Sequence, residues 1–467
     1  MVNVDQVPGE WGSLTVEEPL SKDGIESKAQ NLLSQMTLEE KIHQMSGDTP
    51  MIRGGLEMMR AYNTRPLPAG ENLRLGIPGI RFSDGPRGVV IYHSTCFPVS
   101  MARGASWDID LEERIGDAIG VEARSQGANF FGGVCINLLR HTAWGRAQET
   151  YGEDPYHLGE FGAALTRGVQ RHIMACAKHY ALNSMENARF KVDVRVSERT
   201  LHEVYLPHFK RCVDQGVASI MSAYNKVNGD WCGHHTYLLR KVLKEDWGFE
   251  GFVISDFAYG LHDGKAAALG GLDIEMPFTQ HYGKKLQRLV EKGQVPEKVI
   301  DESVLRILRQ KIRFAQIGEP ERYGEQFVVS ESHKALAREA AHKSIVLLKN
   351  GHRGGTNQPL LPIDKTQVKR IAVIGDLAAK PNTGDHGSSD VRPPYIVTPL
   401  DGLKAAASDL EITFNDGKKV STATQTARQV DLAIIVAGYT FKDEGEFVQG
   451  MLFFPSKGGD RDSLTLK

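Results

Sequence analysis

The chain has 467 residues, 41% hydrophobic and 24% charged, enough apolar material for two or three domains. Lys plus Arg total 56 against 58 Asp plus Glu, and a formal charge of -2 argues against a general nucleic-acid binder or a polybasic membrane protein. No apolar run approaches a membrane span, and the start MVNVDQVPGEWG lacks a basic stretch followed by an apolar one, so neither a transmembrane helix nor a secretory signal is expected. Five widely spaced cysteines without a CxxC pair make a zinc knuckle or a disulfide framework unlikely and fit reduced thiols in the cytoplasm.

The chain opens with helical signals: Glu26 to Leu33, then Thr37-Leu-Glu-Glu40, a capping box that starts a second helix. A repeating pattern follows, in which short apolar runs alternate with polar breaks and amphipathic helices. The runs are Gly79–Phe82, Gly133–Ile136, Ile173–Ala177, Ala218–Met221, Gly251–Ile254 and Gly271–Ile274. Helices are predicted at Asp108–Arg124 and at Glu198–Asp214, the latter capped by Ser197. Strands alternating with helices imply parallel pairing, and six such runs predict a TIM-type (β/α)8 barrel over residues 1–314. Residues 315–333, with Gly, Pro and charge, read as a linker. Beyond it, over 334–467, a helix (Lys334–Lys343) precedes three buried-strand signatures, Ser344–Lys349, Arg370–Gly375 and Ala433–Ala437. These predict a second α/β domain.

Residues just after a barrel strand face the mouth. Those positions hold Asp84, Arg140, Lys178, His179, Tyr224, Asp256 and Glu275. One such residue alone reads as a solvated loop charge, but their recurrence at six strand ends makes a polar pocket. A pocket rich in hydroxyl partners and without a phosphate cradle suits a sugar. Gly384–Ser389 has glycines, but it does not open a helix after a strand at the spacing a dinucleotide or phosphate site requires. No cofactor and no metal site is expected.

Ser83-Asp-Gly-Pro-Arg-Gly88, Gly145-Arg-Ala-Gln-Glu149 with Gly152-Glu-Asp-Pro155, Lys178-His-Tyr180, Ser222-Ala-Tyr-Asn-Lys-Val-Asn-Gly229 and Gly251-Phe-Val-Ile-Ser-Asp-Phe257 resemble the β-glucosidases of glycoside hydrolase family 3. The resemblance continues through Gly387-Ser-Ser389, Pro393–Leu400 and Gly459-Asp-Arg461. It implies a barrel followed by an α/β sandwich, and an exo-acting, retaining β-glucosidase acting on a β-glucoside or oligosaccharide. By the same resemblance Asp256 is the nucleophile, and Asp84, Arg140, Lys178 and His179 bind hydroxyls of the non-reducing sugar. Trp144 and Phe257 are candidate walls for the ring. Tyr224 either donates to the nucleophile or packs. Arg146 and Glu149 read as a buried ion pair that steadies its loop, and Glu275 as a partner of site residues rather than a reactant.

Members that cleave N-acetylglucosaminides carry a Gly-His and Asp-Ser-His loop after the Lys-His pair. Tyr180-Ala-Leu-Asn-Ser-Met-Glu186 stands there instead, which disfavours that subclass. The proton donor is then sought on the loop Gly438–Phe447, where Glu446 and Glu444 compete and Glu446 is favoured. The chain stops soon after Gly-Asp-Arg, where the family's second domain continues, so a fragment or a naturally short form is expected. The alternatives are a β-xylosidase or broad β-glycosidase of the same family, or a sugar-binding protein with an inactive site. Oligomeric state is not legible.

Overall fold

The computed structural model describes residues 14, 16, 18–60, 62–351, 359–448 and 456–466. Its larger sheet is built from β1 (Leu67–Ala69), β2 (Ile80–Ser83), β3 (Phe130–Cys135), β4 (Met174–Tyr180), β5 (Ser219–Ser222) and β6 (Phe252–Ile254), adjacent in that order. β2 to β6 pair in parallel, while β1 runs antiparallel to β2. Single bridges close the ring: Ile254 pairs with Ile274, Glu275 with Ser46, and Gly47 with Ala69 of β1. The result is a closed barrel that departs from a regular (β/α)8 pattern, because one strand is reversed and two positions are reduced to a bridge or two.

Every residue of β3 and β4 is buried, as expected for strands covered on both faces. The helices between them follow their capping chemistry. Thr37 and Glu40 form the predicted capping box, and Asp108 accepts the Leu111 N–H at 2.9 Å to start Ile109–Ser125. The helix expected over Glu198–Asp214 starts at its Ser197 cap but is not uniform: Leu201–Tyr205 widens into a π-helical turn before Pro207, which has no N–H to continue the ladder.

Residues 315–330 of the expected linker contain only two short 3-10 turns, its last three residues open the next helix, and the segment is held against the barrel. Arg322 pairs with Asp117, Tyr323 Oη meets His172 Nδ1 at 2.9 Å, and buried Glu122 accepts from Val329 N at 3.0 Å and bonds His333 Nδ1 at 2.8 Å. A helix over Glu331–Lys343 follows.

The second sheet places β7 (Arg370–Ile374) between β8 (Glu411–Asn415) and β9 (Leu432–Ile435), all parallel, over a small core of Val368, Ile371, Val373, Ala378 and Leu400. The buried strand expected at Ser344–Lys349 does not form. The segment joins no sheet, and Ile345 and Leu348 are 77% and 91% exposed. Apolar sequence alone does not make a buried strand; it needs a ladder and a covering layer, and no described residue supplies either. β8, with its polar ends, was not apparent in the sequence.

A hairpin of β10 (Gly445–Val448) and β11 (Lys457–Gly459) then returns to the barrel mouth. A β-carbon on Gly145 would lie 2.3 Å from Gly459 O and 2.5 Å from Gly445 O, so only glycine lets the barrel loop and the hairpin meet. Asp460 completes the seam by accepting the N–H groups of Gly145, Glu186 and Asn187 at 2.9–3.0 Å. Arg461 N donates to Ala143 O at 2.8 Å. The Gly-Asp-Arg motif is a clasp between the two parts of the molecule.

Candidate active site

Asp256 follows β6, and its carboxyl is buried at 6% exposure. Oδ1 accepts the Phe257 N–H at 2.8 Å, whereas Oδ2 has no hydrogen-bond partner among the described residues. His179 Nε2 stands 3.7 Å from Oδ2. Burial pushes the Asp256 pKa up to about 6, against the pull of the Arg189 and Arg146 guanidiniums.

Asp84, at the end of β2, and Lys178, within β4, form a buried ion pair. Tyr62 Oη donates to Asp84 Oδ2 at 2.8 Å, and the Asp84 N–H donates to Asn63 Oδ1 at 2.6 Å. Burial works against the Lys178 charge, but the Asp84 carboxylate outweighs it and raises the ammonium's pKa. His179 bonds Asn137 Oδ1 through its backbone N–H at 2.8 Å and through Nδ1 at 3.0 Å. The ring therefore carries its proton on Nδ1, and Nε2 accepts from Arg146 Nη1 at 3.2 Å. Burial, with Arg146 and Lys178 nearby, drives the His179 pKa well below normal, so the imidazole is neutral.

Arg146 makes the expected buried pair with Glu149, at 3.0 and 2.8 Å, and it also reaches the site itself. Its Nη1 lies 3.6 Å from Glu446 Oε1, and its Nη2 donates to Ser388 Oγ at 2.9 Å. Arg189 Nη1 bonds Glu446 Oε1 at 3.0 Å and pairs with Glu186 Oε2 at 3.1 Å. Ser388 N donates to Glu446 Oε2 at 2.7 Å. Burial works to raise the Glu446 pKa, but Arg146 and Arg189 prevail and hold this carboxyl well below the usual range. Glu444 lies elsewhere, paired with Arg461 at 3.0 Å, and burial raises its pKa.

Three expectations change. Arg140 is exposed and is not with Asp256. It lines a separate cavity of about 660 Å³ with Trp144, Leu182, Arg195 and Tyr205, because β3 ends at Cys135 and the intervening residues carry Arg140 away from the mouth. Trp144 is buried, and its indole N–H donates to Glu186 at 3.1 Å. Phe257 packs inward on Phe82, with ring centroids 4.8 Å apart, rather than standing as an open wall. Tyr224 packs beside Asp256; burial, helped by that carboxyl, raises its pKa, and its hydroxyl donates to Phe257 O at 2.8 Å. Glu275 accepts the N–H groups of Gln280, His281 and Tyr282 at 2.8–3.0 Å and ties its own loop.

Sequence reasoning missed Tyr62, Asn137, Glu186, Arg189, Asp385 and Ser388. Glu186 and Arg189 carried a signal, opposite charges three residues apart just after the Lys-His pair, and Ser388 stands in the Gly387-Ser-Ser389 motif.

Carboxylates from two parts of the chain, meeting over a polar barrel mouth, define a site of the glycoside-hydrolase class. The sequence profile described as "Glycosyl hydrolase family 3 N terminal domain" matches residues 57–310, and "Glycosyl hydrolase family 3 C-terminal domain" matches 345–467. The chain belongs to glycosyl hydrolase family 3. It is 36% identical over 416 residues to "Beta-glucosidase BoGH3A" of Bacteroides ovatus, which covers 82% of this chain and 53% of that protein. It is 33% identical over 443 residues to "Thermostable beta-glucosidase B" of Acetivibrio thermocellus, covering 89% and 55%. The chain thus spans about half the length of these relatives. Among solved structures, β-glucosidase 3B from Thermotoga neapolitana in complex with α-D-glucose superposes with a TM-score of 0.78 at 29% identity, over 90% of this chain and 63% of that one. The β-D-glucoside glucohydrolase of Trichoderma reesei gives 0.83 at 29%, over 96% and 64%. Among the described residues no helix is long and apolar enough to cross a membrane.

Proposed function

We propose that this chain carries the site of a retaining β-glucosidase that removes terminal glucosyl residues from β-glucosides. The observation that carries the reading is the buried Asp256 carboxyl, fixed through Oδ1 while Oδ2 accepts no hydrogen bond from any described residue. In the first step Oδ2 attacks the anomeric carbon as the bond to the aglycone oxygen breaks, and Glu446 gives that oxygen a proton. In the second step Glu446 takes a proton from water, whose oxygen displaces Asp256 and frees the sugar. The Asp84–Lys178 pair holds ring hydroxyls, and neutral His179 stands beside Asp256. Charge-assisted hydrogen bonds from Asp84 and Lys178 fix the sugar over Oδ2. Arg146 and Arg189 aim the Glu446 carboxyl and favour its ionised form, the state that the second step begins from. For the first step Glu446 takes up its proton against that pull, so its action as acid weakens as pH rises. A glucosyl residue is supported by the names of the relatives and by the glucose in the Thermotoga neapolitana structure.

The test is trapping. A 2-deoxy-2-fluoro glucoside with a good leaving group should inactivate the protein and leave its label on Asp256, read by peptide mass spectrometry. Inactivation with the label on another residue would overturn the assignment.

A further inference from the structure

The Glu446 carboxyl has a second carboxyl beside it. Asp385, on the loop Gly384–Ser389, is 4% exposed, and its Oδ2 accepts the Glu446 backbone N–H at 3.1 Å. A β-carbon on Gly387 would fall 2.6 Å from Glu446 Oε2 and 2.9 Å from Asp385 Oδ2, so both carboxyls crowd the same bare glycine. Their surroundings differ. Glu446 has Arg189 at 3.0 Å and Arg146 at 3.6 Å, whereas among the described residues no cation pairs with the Asp385 carboxyl. Arg87 reaches only the Asp385 backbone carbonyl, at 2.7 Å, and the neighbouring His386 pairs with Asp390.

Of the charged groups around Asp385, the Glu149 and Glu446 carboxylates oppose its ionisation and Arg146 favours it, while the Arg87 guanidinium lies against its backbone carbonyl. Burial and those carboxylates push Asp385 up to about 7, while Glu446 is held low. Paired carboxyls driven apart in this way divide one proton's work between them.

We propose that Asp385 is a positioning residue for Glu446: it anchors the Glu446 backbone, and its own charge, once formed, strengthens the hold of Glu446 on the proton for the leaving group. The inference rests on the reading of Glu446 as the acid/base. Asp385→Asn keeps an acceptor oxygen for the Glu446 N–H and nearly the same volume, and it removes the charge. Without that charge Glu446 gives up its proton more readily wherever Asp385 would be ionised. The ratio of wild-type to Asp385→Asn rates on cellobiose should then grow by about tenfold from pH 6 to pH 8, the effect of a one-unit shift. On a dinitrophenyl glucoside, whose leaving group needs no proton, the ratio should stay flat.

A second measurement does not depend on turnover. A carboxyl whose pKa is raised by folding binds more protons folded than unfolded, so its contribution to stability falls as pH rises from about 4 to about 7. Asp385→Asn lacks that loss, and its Tm should gain on the wild type between pH 5 and pH 8.

A cellobiose ratio that stays flat with pH would overturn the coupling, as would a Tm difference that does not change with pH. Glu446→Gln separates the two layers. If that variant shows no dependence on leaving group, the acid/base reading itself falls. If it shows the dependence while the Asp385→Asn ratio stays flat, only the role of Asp385 is lost.

Discussion

The barrel and the second region build the site in different ways. Barrel residues sit on or just after buried strands, so Asp84, Lys178, His179 and Asp256 are placed by the same ladder that forms the core. Glu446 comes from a two-stranded hairpin on a region with a small core, and its place depends on the clasp at Gly145 and Asp460 and on the guanidiniums of Arg146 and Arg189. Chemistry on a barrel strand is fixed when the barrel folds. Chemistry on a docked hairpin is fixed only when the docking holds.

The sharpest way to separate the two is to remove one carboxyl from each. Asp256→Asn should lower kcat/KM by at least about 10⁴-fold on every β-glucoside, because no second route reaches the anomeric carbon. Circular dichroism and Tm should stay close to wild type. The wild-type rate on a dinitrophenyl glucoside should rise with pH through about 6, since Asp256 attacks only when ionised and burial has raised its pKa to there. A rate that is level between pH 5 and pH 7 would contradict this environment.

Glu446→Gln should cost roughly 10²–10⁴-fold on cellobiose and much less on the dinitrophenyl substrate, because only the poor leaving group needs the proton. Added azide should restore part of the loss by replacing base-assisted water. Glu444→Gln should show neither effect, since Glu444 is engaged with Arg461. The reverse pattern would transfer the role to Glu444.

The same division decided what the sequence revealed. Strand-end residues were legible because the apolar run, its polar end and the mouth of a barrel are linked by local rules. Asp84, Lys178, His179 and Asp256 followed from that. Arg140 misled, because a run read as Gly133–Ile136 is in fact β3 over Phe130–Cys135, and the residues beyond it leave the mouth. Arg146, only six residues on, was read as structural; its pair with Glu149 is local, but its approach to Glu446 spans 300 positions and has no local mark. The Ser344–Lys349 segment failed for a related reason: its apolar pattern is that of a strand, and a strand exists only with a partner.

The clasp offers a milder break. Asp460→Ala removes an acceptor from three backbone N–H groups, each bond to a charged group being worth about 1.5–3 kcal/mol. The hairpin should loosen while the barrel stays folded. Cellobiose turnover should fall by about one to two orders of magnitude, a loss of about 1.4–2.8 kcal/mol. Labelling of Asp256 by the fluoroglucoside should persist, because Asp256 is placed by the barrel strand and not by the hairpin. If labelling and turnover fell together, the barrel half of the site would not be independent of the clasp.

The smallest effect is expected at Arg140, and it tests the comparison from the opposite side. Arg140 and Arg146 lie six residues apart on one loop. Arg146 is buried against Glu149, His179 and Glu446, while Arg140 is exposed at the edge of the separate cavity and none of the site residues lies in its lining. A long charged side chain that pairs with no described residue and faces water contributes little, so Arg140→Ala should change stability by no more than about 0.5 kcal/mol. Its kcat/KM should match the wild type within about twofold on cellobiose and on the aryl glucoside alike, since about 0.4 kcal/mol is the most that such a ratio represents. A rise in KM of tenfold or more would place Arg140 against the sugar after all, and the loop between β3 and Arg146 would then have to turn its two arginines toward the same pocket.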